Sequence, residues 1–445
     1  MDIILLNLAN LVDEQGHSKD YLIKQIAIPP LGLLYIGQVL NENGYSVKIY
    51  DQTVTGANNS ELMEIIKKMN PSVVGFSVLF HNYWTTLDLL KKLKAWNPNI
   101  VAIAGNYFAT FFAEQLMKET EFDFCVRGEG EYTLLQLVTQ LSQNKKNFSG
   151  IKGLTYRENN LIKSTPPPEK IKNLDELPIP DRKLIDFNYK LQHKSTSILT
   201  SRGCPFKCRF CFFSALMGKG WRRRSVENVI EEIKYLFNTY DIDFIDFVDG
   251  TFTYDSNYVR EFCSTLIEQE MNVKWRCTAR YNNLNKEILD LMKKANCAGL
   301  YLGLESGSER TLQAVNKKIT VEDITRTSEL IFKSGILSIT AVMMGLPQEN
   351  KKDIEDTLQL MKKIKTDIFD VNCYVPLPGT ELYDNMTEDD RKNIDWRKVG
   401  FKSYGNYFNK NISQKDLQAY ITEAHEIALN ALKTFQKHGG WKTKM

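Results

Sequence analysis

The 445-residue sequence has no run approaching the ~20 consecutive apolar residues that a membrane-spanning helix needs, so no bilayer span is expected. It also lacks an excess of either charge: 57 Lys and Arg stand against 54 Asp and Glu, a formal net charge of +3. That balance is far from the basic field of a general nucleic-acid binder and leaves nucleic acid only as a local-site substrate. Histidine is scarce. Its five copies (His17, His81, His193, His425, His438) are scattered, and no HxxxH pair is present. Met1 to Asn10 is apolar but carries Asp2, with neither a basic leader nor a small-residue cleavage site, so it reads as a first strand rather than a signal peptide. The expected compartment is the cytoplasm. Eight cysteines could form a disulfide framework only in a small secreted chain; here the thiols are expected reduced. What is present is ordinary globular composition, 43% hydrophobic and 25% charged, in a chain long enough for two or three domains.

The first 150 residues alternate β-branched runs with helical periods. Strands are expected at Ile3 to Leu8, Ser46 to Tyr50, Ser72 to Leu79, Ile100 to Ala104 and Phe122 to Val126. Helices are expected near Leu31 to Asn41, Glu61 to Met69, Thr85 to Ala95, Thr110 to Lys118 and Tyr132 to Leu141. Repeated strand-then-helix order predicts a doubly wound parallel sheet, whose ligands bind beyond the carboxyl ends of the strands. A hairpin at Ile151 to Lys163 follows. Then Pro166, Pro167, Pro168, Pro178 and Pro180 mark an extended connector, so residues 151–194 read as hairpin and linker.

Alternation resumes near Ser195, with strands Thr196 to Thr200, Phe244 to Val248, Val273 to Thr278, Gly299 to Leu304, Ile336 to Met343 and Ile368 to Tyr374. Six strand-helix repeats over residues 195–385 suit an open (β/α)6 barrel, since the closed eight-fold form takes ~250 residues. Residues 386–445 form a short carboxy-terminal region with a mostly polar helix, Gln414 to His438, and aromatics (Trp396, Tyr404, Tyr407, Phe408, Trp441) that suit a specificity element or a barrel cover.

The strongest chemical signal is Ser201-Arg-Gly-Cys204-Pro-Phe-Lys-Cys208-Arg-Phe-Cys211, just after the first strand of the second unit. Zinc is the chief competing reading, but structural zinc sites use four ligands in two pairs, and no second CxxC lies nearby. Iron-sulfur clusters are also held by thiolates, normally four; three leave one iron open for a substrate or cofactor. This CxxxCxxC loop resembles that of the radical S-adenosylmethionine (SAM) enzymes. The resemblance implies that Cys204, Cys208 and Cys211 hold a 4Fe-4S cluster, whose fourth iron chelates SAM for one-electron cleavage to a 5'-deoxyadenosyl radical.

Further motifs fall at successive strand ends: Asp246-Phe-Val-Asp249-Gly, Trp275-Arg-Cys-Thr-Ala-Arg280, Gly303-Leu-Glu305-Ser306-Gly307, Gly345-Leu-Pro347 and Pro376-Leu-Pro-Gly379. Each alone suits turn chemistry; the ordered set sits where barrel active sites form. The resemblance implies that Phe210 contacts adenine, that Asp249 and Arg280 face the methionyl end of SAM, and that Glu305 and Ser306 lie near its ribose or amino group. A zwitterionic ligand of this kind wants both a carboxylate and a cation. The run Arg222 to Arg224 cannot face one way on a helix or strand, so part of it is expected at the surface.

A doubly wound domain followed by a proline-rich connector and this barrel resembles the cobalamin-binding subclass of radical SAM enzymes. The matching stretches are Ile28-Pro-Pro-Leu31-Gly32-Leu33, Gly44-Tyr-Ser-Val47 with Asp51, Gly75-Phe-Ser77, Gly105-Asn106-Tyr107 and Val126-Arg-Gly128-Glu129-Gly130-Glu131. The implied cobalamin contacts are Leu31, Gly32, Ser77, Leu79, Phe80, His81, Gly105, Asn106, Tyr107, Gly128 and Glu129. Packing alone is the rival explanation for Gly32 and Gly75. The DxHxxG motif that ligates cobalt from below in other cobalamin proteins is absent; His17 and His81 lie in other contexts. Cobalamin is therefore expected without that ligand, with Leu79, Phe80 or His81 beneath the ring. A dinucleotide is a poor alternative, because the loop after the first strand has no GxGxxG.

The implied activity is methylation of an unactivated carbon: one SAM methylates cobalt, a second supplies the radical, and the substrate radical takes the methyl group. A cyclisation, rearrangement or oxidation without methyl transfer uses the same cofactors and stays open. Expected partners are a small-molecule or peptide substrate and an external electron donor of the flavodoxin or ferredoxin type. Cys125, Cys263, Cys277, Cys297 and Cys373 read as small buried apolar residues.

Overall fold

A computed structural model of the chain describes residues 1–9, 29–185, 194–396, 407–437 and 439–440. His17, His193, Tyr404, His438, Trp441 and most of the loop from Ala9 to Pro30 lie outside the described residues. The chain divides into two compact units, Met1–Lys194 and Ser195–Met445.

The first unit is built on a seven-stranded sheet of β1 (Asp2–Asn7), β2 (Ser46–Asp51), β3 (Val73–Ser77), β4 (Val101–Gly105), β5 (Phe124–Val126), β6 (Leu154–Glu158) and β7 (Leu161–Ser164). Its order is β2-β1-β3-β4-β5-β6-β7. β1 to β5 are parallel neighbours, whereas β5, β6 and β7 pair antiparallel. Every residue of β3 is buried, as a strand covered by helices on both faces requires, and that is why its sequence shows no alternation. The hairpin expected beyond the sheet thus completes it, and Leu161 at the edge is exposed. The expected helix Thr110 to Lys118 is two, Asn106–Phe111 and Ala113–Glu119, divided at Phe112 with φ −125°. The proline-rich connector folds back onto this unit through 3-10 turns at Leu174–Glu176 and Arg182–Leu184. Asp181 N donates to Gln38 Oε1 at 3.1 Å, and Leu184 packs beside Gly37.

The second unit carries a six-stranded parallel sheet in sequential order: β8 (Ser195–Ile198), β11 (Phe244–Phe247), β12 (Lys274–Ala279), β13 (Cys297–Glu305), β14 (Leu337–Met344) and β15 (Ile368–Cys373). Helices connect the strands, as parallel pairing demands, and β9 (Ser201–Arg202) pairs antiparallel with β10 (Arg222–Arg223) in the segment between β8 and the helix Val226–Tyr240. The hydrophobic core lies between sheet and helices. Phe247, Phe252, Phe262 and Trp275 form its centre with ring centroids 4.9 to 5.7 Å apart, and each such burial contributes about 1.5–3 kcal/mol. The helix Gln414–Lys437 buries Leu417, Ile421, Ala424 and Phe435 and covers the edge strand β15. The architecture is α/β in both units. Among the described residues no helix is long and apolar enough to cross a membrane.

Candidate active site

In the second unit the cysteine loop leaves the end of β8 and is tied on both flanks. Gly203 has φ +82°, and a Cβ there would lie 2.5 Å from the Gly220 carbonyl oxygen, so only glycine fits where the loop crosses that backbone. On the other flank, Arg209 N donates to Val315 O at 3.0 Å, Leu382 N donates to Arg209 O at 3.1 Å and Asn316 Nδ2 donates to Lys207 O at 2.8 Å. The loop is therefore tied to the segments that follow β13 and β15. Cys204 is buried, and Cys208 and Cys211 are half-buried. Among the described residues no three His, Cys, Asp or Glu side chains converge on a single ion.

Beside Cys208 lies a buried charged set. Arg280, just past β12, stacks its guanidinium 3.8 Å from the centroid of Phe206, directs Nη1 to Cys208 Sγ at 3.6 Å and donates through Nη2 to Lys317 O. Its Nε is buried with no partner. Lys317 Nζ meets Glu305 Oε1 at 2.5 Å, both side chains almost fully buried, and lies 6.0 Å from the ring of Phe210. Glu305 stands at a register break at the end of β13 with φ +64°, a left-handed conformation that costs a non-glycine residue about 1–3 kcal/mol and clusters at functional sites. Gly303 leaves the space for the pair, since a Cβ there would strike the Glu305 carboxylate and lie 2.5 Å from Lys317 Nζ. Phe210, Arg280, Glu305 and Cys208 thus converge through Lys317.

Asp249 and Ser306 are placed differently. Asp249 ends the β11 segment, fully buried, and accepts from Thr200 N at 3.1 Å, Thr200 Oγ1 at 2.9 Å and Ser201 Oγ at 2.6 Å. It braces the root of the cysteine loop. Burial pushes its carboxyl up from the usual range against the pull of those hydrogen bonds. Ser306 Oγ pairs with Thr357 Oγ1 at 3.0 Å, joining the β13 turn to the helix Lys351–Lys363. The three consecutive arginines also part company: Arg224 is buried against Glu232, Arg223 is exposed over the rings of Trp221 and Tyr258, and Arg222 sits in β10. Lys317 was not singled out by the sequence, because it adjoins the exposed Lys318 and no periodicity separates them.

In the first unit, β1 is flanked by β2 and β3, so the chain reverses its direction of travel across the sheet between β1 and β3. Ligands of doubly wound sheets bind at the carboxyl end of that reversal. Asn82 bridges it: Nδ2 donates to Ser77 O at 2.9 Å and to Leu8 O at 3.2 Å, and Oδ1 accepts from Leu79 N at 2.8 Å. Sequence reading missed this fully buried residue, whose only signal was an Asn before a helix. Ser77, Phe80, Gly105, Asn106 and Tyr107 are brought together at the same edge. Asn106 Nδ2 donates to Ser77 Oγ at 2.8 Å, Phe80 packs on Tyr107 with centroids 4.6 Å apart, and Val78 N donates to Gly105 O at 3.0 Å. Leu79 is half-buried, and His81 is exposed between buried Phe80 and Asn82.

At the start of the helix Leu31–Glu42, Leu31 is buried and Gly32 is exposed. A Cβ on Gly32 would meet nothing within 4 Å, so packing does not account for that glycine. Packing does account for Gly75, whose Cβ would lie 2.7 Å from Leu5 Cδ2. Gly128 and Glu129 serve the connector: a Cβ at Gly128 would lie 2.9 Å from Pro168 Cγ, and Glu129 Oε2 accepts from Ile171 N at 2.9 Å. The remaining cysteines, Cys125, Cys263, Cys277, Cys297 and Cys373, are all buried, and burial raises the thiols of Cys125 and Cys277 above their ordinary range.

A doubly wound module followed by a six-stranded barrel whose first loop carries CxxxCxxC defines the class: a radical SAM barrel joined to a corrinoid-binding module. The radical SAM superfamily pattern matches residues 198–361 and the B12 binding domain pattern residues 26–138. Over 419 residues the chain is 32% identical to an uncharacterized methyltransferase of Pyrococcus horikoshii, covering 92% of this chain and 91% of that protein. It is 28% identical over 384 residues to the anaerobic magnesium-protoporphyrin IX monomethyl ester cyclase of Rubrivivax gelatinosus, covering 84% and 69%. The fold is similar to that of the radical SAM methyltransferase TsrM from Kitasatospora setae, with TM-score 0.73 and 19% identity over 87% of this chain and 76% of that one. The chain belongs to the cobalamin-dependent radical SAM enzymes, and its cofactors are a 4Fe-4S cluster, SAM and cobalamin. The residues present fit that set. Three thiols share one pinned loop, the buried Arg280 keeps an unpartnered Nε beside it, and Gly32 leaves open space at a helix start.

Proposed function

We propose that this enzyme transfers a methyl group from SAM to an unactivated carbon of a small-molecule or peptide substrate. The observation that carries the reading is one chain uniting the cysteine loop and its buried Arg280-Lys317-Glu305 set with a corrinoid module, and the 32% identical relative named a methyltransferase supports it over nearly its whole length. When bound, the cluster supplies the electron that cleaves SAM, and the corrinoid supplies the transferable methyl group. Cys204, Cys208 and Cys211 would hold the cluster. Arg280 would present its free Nε and Lys317 its remaining N–H donors to the SAM carboxylate, while Glu305 offers a carboxylate to the ammonium, in a site where low dielectric strengthens each contact. Phe210, packed among Val315, Leu346 and Tyr374, would give adenine an apolar face. Asp249 acts through Thr200 and Ser201, fixing the root of the cysteine loop. Leu31, Gly32, Ser77, Leu79, Phe80, His81, Gly105, Asn106 and Tyr107 would meet the corrinoid.

A second reading, ring closure or oxidation without methyl transfer, is favoured by the relative named a cyclase. Methyl-labelled SAM separates the two. Under reducing, anaerobic conditions with cell extract as the substrate source, label in an extract-derived product supports methyl transfer. 5'-Deoxyadenosine formed with no label in any product supports the second reading.

A further inference from the structure

Where β14 and β15 end, a narrow cleft of about 390 Å³, open mouth included, separates the strand ends from the helix Gln414–Lys437. Met344, Leu417 and Ile421 are its buried apolar walls, and exposed Gln414 and Gln418 stand at its rim. Tyr374 and Tyr407 also line it. Tyr374 is only 4% exposed, and the hydroxyls of both tyrosines are shut off from water with no hydrogen-bond partner among the described residues. None of the described residues lining the cleft is charged. The walls are held in place by the backbone around them. Tyr374 N donates to Met344 O at 2.8 Å, Gly345 N and Leu346 N donate to Glu349 Oε2 at 2.8 and 2.9 Å, and Asn409 Nδ2, two residues past Tyr407, donates to Leu346 O at 2.7 Å. Tyr374 also packs with Val315 and Leu346 in the cluster that holds Phe210. One side chain is thus both a wall of the cleft and a neighbour of the ring proposed to meet adenine.

We propose that this cleft is a specificity subsite seating a neutral end of the substrate that bears a hydrogen-bond acceptor, such as a carbonyl, amide or ether oxygen, with Tyr374 and Tyr407 as its donors. A buried hydroxyl left unpaired costs stability, and a guest oxygen placed between the two would satisfy both. Sites built to hydrogen-bond a substrate group reject analogues that lack it. Uncharged, largely apolar walls admit a neutral oxygen and exclude a carboxylate or phosphate, which would be buried without a counter-charge. The inference deepens the reading of this barrel as a radical enzyme acting on a small molecule or peptide, and rests on it.

Tyr374→Phe and Tyr407→Phe in the reconstituted holoenzyme test it. Each removes one hydroxyl and keeps the ring, so the urea midpoint should stay or rise, as expected of a donor that bonds nothing in the resting protein. With limiting cell extract as substrate source, extract-dependent 5'-deoxyadenosine formation should fall about three- to tenfold in each variant, while SAM binding in equilibrium dialysis stays at the wild-type level. Tyr420→Phe, whose hydroxyl reaches Glu355 Oε1 at 3.0 Å outside the cleft, should leave turnover and SAM binding unchanged. Fluorine NMR reads the cleft without turnover: para-fluorobenzamide should broaden with the wild type and clearly less with Tyr374→Phe/Tyr407→Phe, and para-fluorobenzoate should broaden with neither. Wild-type turnover in both variants, a matching loss of SAM affinity, a lowered urea midpoint that marks hydroxyls bonded to water only, or equal broadening of benzamide and benzoate would overturn the subsite. Extract-dependent deoxyadenosine with no label in any product would instead overturn methyl transfer and leave the subsite standing.

Discussion

Lys317 and Glu305 form an ion pair with almost no access to water, and such pairs are expensive to break singly and often neutral to replace together. Lys317→Met should therefore lower stability by about 3–5 kcal/mol in urea unfolding, because it strands a buried carboxylate. Lys317→Met/Glu305→Leu should recover most of that stability and still fail to bind SAM in equilibrium dialysis; recovered SAM affinity would remove the pair from the cofactor site. Glu349 makes a pH prediction. Its carboxyl accepts from Gly345 N and Leu346 N, yet burial pushes it up to about 8. A folded-state value above the unfolded one means that the folded protein holds the extra proton, so stability declines as pH rises from near 5 to near 8. Glu349→Gln should flatten the pH-stability profile across that window by at least about 1 kcal/mol; an unchanged slope would show that the group is ionised in the fold. At this scale the cysteines were legible because their spacing within one loop resembles that of a known family. Lys317 and Asn82 were not, because their roles come from burial that tertiary packing decides.

Elements carry the site through a few close backbone contacts. A Cβ on Gly307 would lie 2.6 Å from Asp356 O and Thr357 Cα, where the β13 turn meets the helix Lys351–Lys363. Gly307→Ala should cost about 1–3 kcal/mol through forced separation of the two, read as a lowered urea midpoint at constant slope. Asn82→Ala removes three hydrogen bonds that join the ends of β1 and β3, leaving buried backbone groups unpaired at about 1–3 kcal/mol, and should reduce cobalamin retained after gel filtration. Retention at the wild-type level would separate this edge from the corrinoid. Strand and helix order was legible in both units because parallel strands are continuous apolar runs and their helices are periodic. Two features escaped. The break at Phe112 falls inside a largely apolar run that gives no stop signal, and the connector's packing on the first unit uses Gly37 and Gly128, whose partners, Leu184 and Pro168, lie far away in sequence.

For the whole molecule, the division into two units separates the residues that would hold the two cofactors. The corrinoid edge belongs to the first unit and the cluster loop to the second, so the two cofactors should be separable by mutation. The direct measurement is the iron, sulfide and cobalt content of anaerobically reconstituted protein, wild type against Cys204→Ala/Cys208→Ala/Cys211→Ala. Wild type should carry one 4Fe-4S cluster and one corrinoid per chain, and the triple variant should lose iron and sulfide while keeping its cobalt. Iron retained in the variant, zinc in place of iron in the wild type, or cobalt lost together with the cluster would contradict the account.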